Sequence, residues 1–313
     1  MVAMPGLMLL DTPSLYFRAF YGVPESVTAP DGMPVNAIRG LIDMIAMLVR
    51  EHSPGELAAC MDADWRPAFR VAAIPTYKAH RVAPGGGEEI PGTLAPQVPV
   101  IERVLDAAGI ARVGVPGYEA DDVMGTLAVR ARGPVDIVTG DRDMFQLVDD
   151  TRPIRVLYTA KGVKNLQVVD EAAVSARYGV PGRRYADFAT LRGDPSDGLP
   201  GVPGVGDKTA ADLINRFGTL EALIGALDGG EGGDGLTAAR RARLSAARDY
   251  LRVAPAVVQV VRDVPLPDLD LTLPLRPRDP EALDALAGRY GLNGPLSRLS
   301  EALSEAPPGA SGG

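Results

Sequence analysis

The 313-residue chain has one cysteine, Cys60, so it can form neither an internal disulfide nor a cysteine-built zinc site. Histidine is almost as scarce, and His52 and His80 cannot make a three-histidine metal centre. Any metal held here must rest on oxygen ligands. Lysine occurs only as Lys78, Lys161, Lys164 and Lys208, and arginine supplies the other cations. Long apolar runs are missing. Residues 41–49 are interrupted by Asp43 and fall well short of the roughly 18 residues that a membrane span needs. The opening MVAMPGLMLLD lacks a basic segment, so no signal peptide is expected and the expected location is the cytoplasm. A net charge of −8 argues against a simple polybasic coat for nucleic acid and against a basic membrane-surface protein.

What is present points to a folded α/β protein. Apolar residues make up 46%, enough for a real core, and the length suits about two domains at roughly 150 residues each. Short apolar runs at 7–10, 57–61, 135–139 and 154–158 predict strands. Helical spacing at 35–50, 94–108 and 119–132 alternates with them, which predicts a mainly parallel sheet flanked by helices. From residue 170 onward the pattern is helical. Residues 82–92 and 228–235 are Gly-rich and read as flexible loops, and 305–313 as a disordered tail.

Three acids end predicted strands: Asp11, Asp62 and Asp141. Ligands of open parallel sheets bind outside those strand ends. Further acids cluster in GYEADDV (Glu119, Asp121, Asp122), GDRDM (Asp141, Asp143) and GDPSD (Asp194, Asp197). Singly, each reads as a turn former, a helix cap or a complement to a helix dipole. Together they are too many coincidences at the mouth of one sheet. These nine acids exceed the net charge of −8, so without them the chain is slightly basic and a nucleic-acid partner is admissible. Carboxylates without Cys or His suit Mg²⁺ or Mn²⁺. Two such ions about 4 Å apart clamp the oxygens of phosphoryl transfer.

The segment LPGVPGVGDKTAA is no phosphate loop, because Asp207 separates Gly206 from Lys208 and no strand precedes it. It reads as a tight hairpin between helices, with Gly201, Gly204 and Gly206 letting the backbone approach a phosphate and Lys208 and Thr209 opening the next helix. Residues 65–87 carry Arg66, Arg70, Lys78, His80 and Arg81 among Trp65, Phe69 and Tyr77, with no acid, which suits a single strand. Residues 236–252 carry five arginines against Asp249 and are a candidate duplex surface; a solvated helix face is an equal reading.

The motifs LLDTPSLYFRAF, CMDADWRPAFR with YKAHR, GYEADDVMGTLA, VTGDRDMFQLV and LRGDPSDGLPGVPGVGDKTA resemble, in order, those of the 5′-nuclease superfamily. That family comprises bacterial flap endonucleases and the 5′→3′ exonuclease domain of DNA polymerase I, and the chain is similar to free-standing members from actinobacteria. The resemblance implies a PIN-like fold over 1–180 with an arch near 78–95. It also implies a helical DNA-binding region over 181–304 containing a helix-three-turn-helix at about 190–220. Asp11, Asp62, Glu119 and Asp121 would hold a first ion. Asp122, Asp141, Asp143, Asp194 and Asp197 would surround a second and a third. Lys78 and Arg81 would act on the scissile phosphate with Asp121 and Asp141, Arg70 and Tyr77 would line the strand path, and the hairpin would hold duplex DNA and K⁺. The implied partner is DNA with a 5′ flap, nick, gap or free 5′ end, bound by a monomer during primer removal or repair. Thr12 and Gly198 stand where the family usually has Gly and Asn, and Gly85, Gly86 and Gly87 shorten the arch.

Two other readings use the same acids. Asp62 and Asp64 imitate the nucleophile pair of a haloacid-dehalogenase-like phosphatase, although Arg66 replaces the hydroxyl residue that such enzymes need. A branched-DNA binding protein with a degenerate metal site is the other, and the full acid set argues against it.

Overall fold

The computed structural model describes residues 6–229 and 236–306. Six strands form one sheet in the order β3-β2-β1-β4-β5-β6. They are β1 (Leu7–Asp11), β2 (Glu56–Cys60), β3 (Ala111–Val113), β4 (Val135–Thr139), β5 (Ile154–Tyr158) and β6 (Gln167–Val169). All neighbours are parallel except β6, which runs antiparallel to β5. The four predicted strands are found with their ends shifted by no more than one residue, and β3 and β6 were not anticipated.

The helices needed below are α1 (Thr12–Gly22), α2 (Asn36–His52), α3 (Ala68–Ala73), α4 (Val98–Ala108), α5 (Ala120–Arg130), α6 (Glu171–Tyr178), α7 (Tyr185–Arg192), α8 (Asp207–Phe217), α9 (Leu220–Asp228) and α10 (Ala238–Ala246). In β1, Leu7 and Leu9 face one core while Met8 and Leu10 face the other. Both faces are covered, so the strand reads as an unbroken apolar run instead of alternating with polar residues. Each such buried side chain contributes about 1.5–3 kcal/mol. The predicted helix at 94–108 starts late: Pro96 sits in a short 3₁₀ turn and α4 begins at Val98, with Pro99 in its first turn.

The C-terminal third returns to the first half. Leu57 N–H donates to the Leu271 carbonyl at 2.8 Å, and Arg298 pairs with Asp43 at 2.7 Å. The helix Asn293–Glu305 runs through the start of the expected tail and Ala306 is buried, while 307–313 lie outside the described residues. Likewise, the expected loop at 228–235 begins with Asp228 still inside α9, and 230–235 lie outside the described residues.

The strand order turns back at β1, with β2 on one side and β4 on the other. The carboxyl ends of β1 and β4 therefore flank the crevice where ligands of such sheets bind.

Candidate active site

A cleft of about 430 Å³ opens at that crevice. Six of the nine acids line it: Asp11, Asp62, Glu119, Asp121, Asp141 and Asp194. Lys78 and Arg81 line it too. Asp11 ends β1 and caps α1, accepting from Ser14 N–H at 3.1 Å and from Thr139 Oγ1 at 2.5 Å. The Thr139 hydroxyl thus ties β4 to β1 at the switch point. Asp62 accepts from the Ala120 N–H at 2.7 Å, so it also anchors the start of α5. Asp141 follows β4 and accepts from Asp143 N–H at 2.8 Å. Asp194 stands in the loop after α7 and accepts from Ser196 N–H at 2.9 Å.

The carboxylates crowd one another. Burial pushes Asp11 up to about 7, against its two hydrogen bonds, and Asp62 and Asp141 add repulsion. Burial also raises Asp121 well above the usual carboxylate range, and repulsion from Asp141 and Asp11 adds to it. Asp143 is raised in the same way, beside Asp141, Asp197 and Asp194. Among the described residues no three ligating side chains close into a ready-made ion cage. The acids ring an open cleft instead. An all-oxygen donor set under mutual repulsion fits hard divalent cations, whose charge relieves it.

Three expectations are corrected. Asp122 is fully buried and does not reach the cleft. Its carboxylate is held by Arg70 at 2.6 Å and by the N–H groups of Glu119 (3.2 Å) and Val261 (2.8 Å), which leaves it nothing for a metal. Arg70 is only 2% exposed and cannot touch a strand. It donates to Glu119 at 2.6 Å and to the Val257 carbonyl at 3.1 Å, and serves as the counter-ion behind the acids. Tyr77 is buried too, its hydroxyl donating to Glu119 at 2.9 Å. Arg66 holds the carbonyls of Tyr77 (2.6 Å) and Pro75 (2.8 Å). The basic, aromatic stretch is therefore largely a clamp that presents Lys78 and Arg81. Lys78 pairs with Glu119 from a left-handed backbone, φ 46°. Arg81 pairs with Asp197 at 3.1 Å. Asp143 and Asp197 belong to the charged cluster but stand off the cleft surface.

Gly198 changes meaning as well. Its φ is 74°, and a Cβ there would lie 2.3 Å from the Thr76 carbonyl oxygen. No side chain fits, because Thr76 Oγ1 donates to the Gly198 carbonyl at 3.0 Å and Lys78 N–H to that of Asp197 at 3.0 Å. Gly198→Ala is expected to cost about 1–2 kcal/mol in backbone strain alone and to lift the Lys78 segment off its seat. Urea unfolding and the single-turnover rate measure this; wild-type values in both would show that the segment shifts freely.

Sequence reasoning missed Glu88, Arg142, Phe17 and Tyr158, which also line the cleft. Arg142 lies between two of the acids and was available from its motif. Glu88 carried no signal, since only the turn before it aims it inward. Thr12 simply opens α1 and is buried. Asp64 does not line the cleft and accepts from the Arg66 N–H at 3.1 Å, so the phosphatase pair is not assembled.

In the hairpin, Gly201 and Gly204 have φ of 64° and 75°. Gly206 does not need the left-handed region: its φ is −100° and it caps α8 without a side-chain bond. Lys208 is exposed, and Thr209 lines a small cavity of about 210 Å³ with Gly204, Arg240 and Arg243.

Family comparison decides among these readings. Residues 6–179 match the model of the 5′-3′ exonuclease N-terminal resolvase-like domain, and residues 180–281 that of the 5′-3′ exonuclease C-terminal SAM fold. The chain belongs to the 5′-3′ exonuclease family. A 5′-3′ exonuclease of Streptomyces coelicolor is 63% identical over 95% of this chain and 100% of its own length. One from Mycobacterium tuberculosis is 50% identical over 96% and 98%. DNA polymerase I of M. tuberculosis is 41% identical over 97% of this chain, which spans 32% of that longer protein. Among solved structures, the D15 protein of phage T5 crystallised with metal ions overlays with a TM-score of 0.62 at 18% identity, over 96% of this chain and 99% of that one. The catalytic core of Rad2 with DNA substrate overlays with a TM-score of 0.57 at 16% identity, over 97% and 92%. For this 5′-3′ exonuclease, the fold is thus a resolvase-like sheet domain followed by helices.

Proposed function

We propose that the chain is a structure-specific, divalent-metal-dependent 5′ nuclease. It hydrolyses DNA phosphodiesters at 5′ flaps, nicks, gaps and free 5′ ends, and leaves 5′-phosphate and 3′-hydroxyl termini. The observation that carries this is one cleft lined by six family acids together with Lys78 and Arg81. Two or three Mg²⁺ or Mn²⁺ ions would be held by Asp11, Asp62, Glu119, Asp121, Asp141 and Asp194, with Asp143 and Asp197 acting through water. Such ions supply activation of the attacking water and neutralisation of phosphate charge. Arg70 and Tyr77 fix the Glu119 carboxylate. Lys78 and Arg81 receive the scissile phosphate, stabilising the charge that develops on it.

The hairpin before α8 offers exposed backbone to the duplex, with Lys208 beside it and K⁺ as an added bridge. Among the arginines of 236–252, Arg240 pairs with Asp212 at 2.8 Å, while Arg248 and Arg252 both reach Asp228. Arg243 instead lies over Gly204, its guanidinium 2.9 Å from where a Cβ would be. Arg243 would therefore add a positive charge beside the hairpin backbone that meets the duplex. The protein would act as a monomer in the cytoplasm, in primer removal and repair; no helix among the described residues is long and apolar enough to cross a membrane.

The test is a labelled 5′-flap duplex with Mg²⁺ or Mn²⁺, run beside a small phosphate ester. Cleavage of DNA alone, with 3′-hydroxyl ends on the released piece, is expected. Ester hydrolysis without DNA cleavage, or 3′-phosphate ends, would reject the proposal.

Proton competition gives a second check. Burial pushes the Asp11 carboxyl up to about 7 from its ordinary 3.8, so between those values the folded metal-free protein holds a proton there that the unfolded chain has lost. Its contribution is complete below about 4 and is lost as pH rises through about 7. In EDTA, thermal stability is expected to decline over that window, and Mg²⁺ should raise it more at pH 8 than at pH 6. A flat profile in EDTA, with equal Mg²⁺ effects, would mean that Asp11 keeps an ordinary carboxylate pKa.

A further inference from the structure

The arch segment forms a small hairpin here. Val82 faces Glu88 across an antiparallel bridge. Gly86 N–H donates to the Ala83 carbonyl at 2.9 Å, Ala83 N–H to that of Gly87 at 3.1 Å, and Glu89 N–H to that of Arg81 at 2.7 Å. Gly86 and Gly87 take φ of 80° and 79°, which lets the chain reverse in so few residues. The reversal has a consequence for the two acids that follow. Glu89 stays exposed, whereas Glu88 turns into the cleft that holds Asp62, Lys78 and Arg81. Asp62, Lys78 and Arg81 are also the charged groups that act on the Glu88 carboxyl. The other cleft acids come from strand ends, the start of α5 and the loop after α7. Glu88 comes from the segment that carries the two cations.

We propose that Glu88 is a specificity-determining residue: its carboxylate competes with the strand phosphate for Lys78 and Arg81, and so sets which 5′ ends enter the cleft. This rests on the nuclease reading above. A carboxylate and a phosphodiester are both oxyanions, and the same cations serve either one. Any entering strand must bring its phosphates past the Glu88 charge, which costs affinity. A single-stranded flap brings several phosphates along its path and recovers that loss. A recessed or blunt 5′ end brings few and recovers little of it. Glu88 therefore selects against duplex ends by repulsion, while adding no contact to the flap. Lys78 and Arg81 keep Glu119 and Asp197 as partners when Glu88 is neutral, so the charge of Glu88 is not needed to hold them.

Glu88→Gln keeps the size and removes the charge. Wild type and variant are compared on a 5′-flap duplex and on a recessed 5′ end of the same sequence, both with Mg²⁺. The half-saturating concentration for the recessed end is expected to fall about fivefold, and that for the flap less than twofold, as for one partly screened charge contact. Glu89→Gln, one residue on and exposed, controls for charge in general and should shift neither. Equal shifts on the two substrates, or none, would overturn the proposal. So would a lower saturated rate with a higher Mg²⁺ demand, which would make Glu88 a helper of the metal acids. If the wild type cuts neither substrate, the nuclease reading itself falls, and this proposal with it.

Discussion

Replacing Asp121 or Asp141 by alanine is expected to slow flap cleavage at least about a thousandfold at saturating enzyme and excess Mg²⁺, while DNA binding is kept or strengthened. The two effects have one origin. Both carboxylates line the cleft, and there Asp141, Asp11 and Glu119 crowd Asp121 more than Lys78 relieves it. Removing one takes away a metal donor at the reacting phosphate. It also removes a negative charge that a DNA phosphate must approach, so metal-free affinity does not suffer. Single-turnover rates and fluorescence anisotropy in EDTA measure the two sides separately. If both variants keep rates within tenfold of wild type, the acid cluster is structural.

Lys78→Ala is expected to lower the single-turnover rate about a hundredfold even when all DNA is bound, because a positive charge beside the reacting phosphate is lost. Its fold survives: Glu119 keeps Arg70 at 2.6 Å and Tyr77 at 2.9 Å as donors, so no buried carboxylate is orphaned. Lys208→Ala is expected to behave differently. Lys208 is exposed at the start of α8, away from the cleft lining, and neutralising it should weaken binding and shallow the salt dependence by about one unit of slope. Excess enzyme should then restore its rate. Complete rescue of Lys78→Ala by excess enzyme would reduce the segment around it to an ordinary backbone-binding surface.

The parts legible in the sequence were those set by local pattern. Apolar runs marked β1, β2, β4 and β5, and an acid after three of them marked the cleft. The missed strands, β3 and β6, have three residues each, too few to show a period. β6 also runs antiparallel, which a βα alternation does not forecast. The errors at the site came from partners far apart in the chain. Arg70 and Asp122 are 52 residues apart, and Asp122 and Val261 are 139 apart. Seen locally, Asp122 is one more acid in an acidic turn and Arg70 one more cation in a basic stretch. Only the fold shows that they neutralise each other. Tyr77 is the same case, an aromatic among cations that turns inward to an acid.

Those long separations also bear on synthesis. Every proposed metal acid has been made once residue 197 is in the chain. Yet the Val257 carbonyl and the Val261 N–H, which lock Arg70 and Asp122 behind Glu119, come some sixty residues later. The Leu271 carbonyl that borders β2 and the Arg298 that pins α2 follow later still. A growing chain on the ribosome therefore carries the full set of acids without the atoms that hold them in place. A polypeptide abandoned midway by a stalled ribosome bears the motifs but not a finished cutting site. Degradative activity is expected only from chains that extend past Val261.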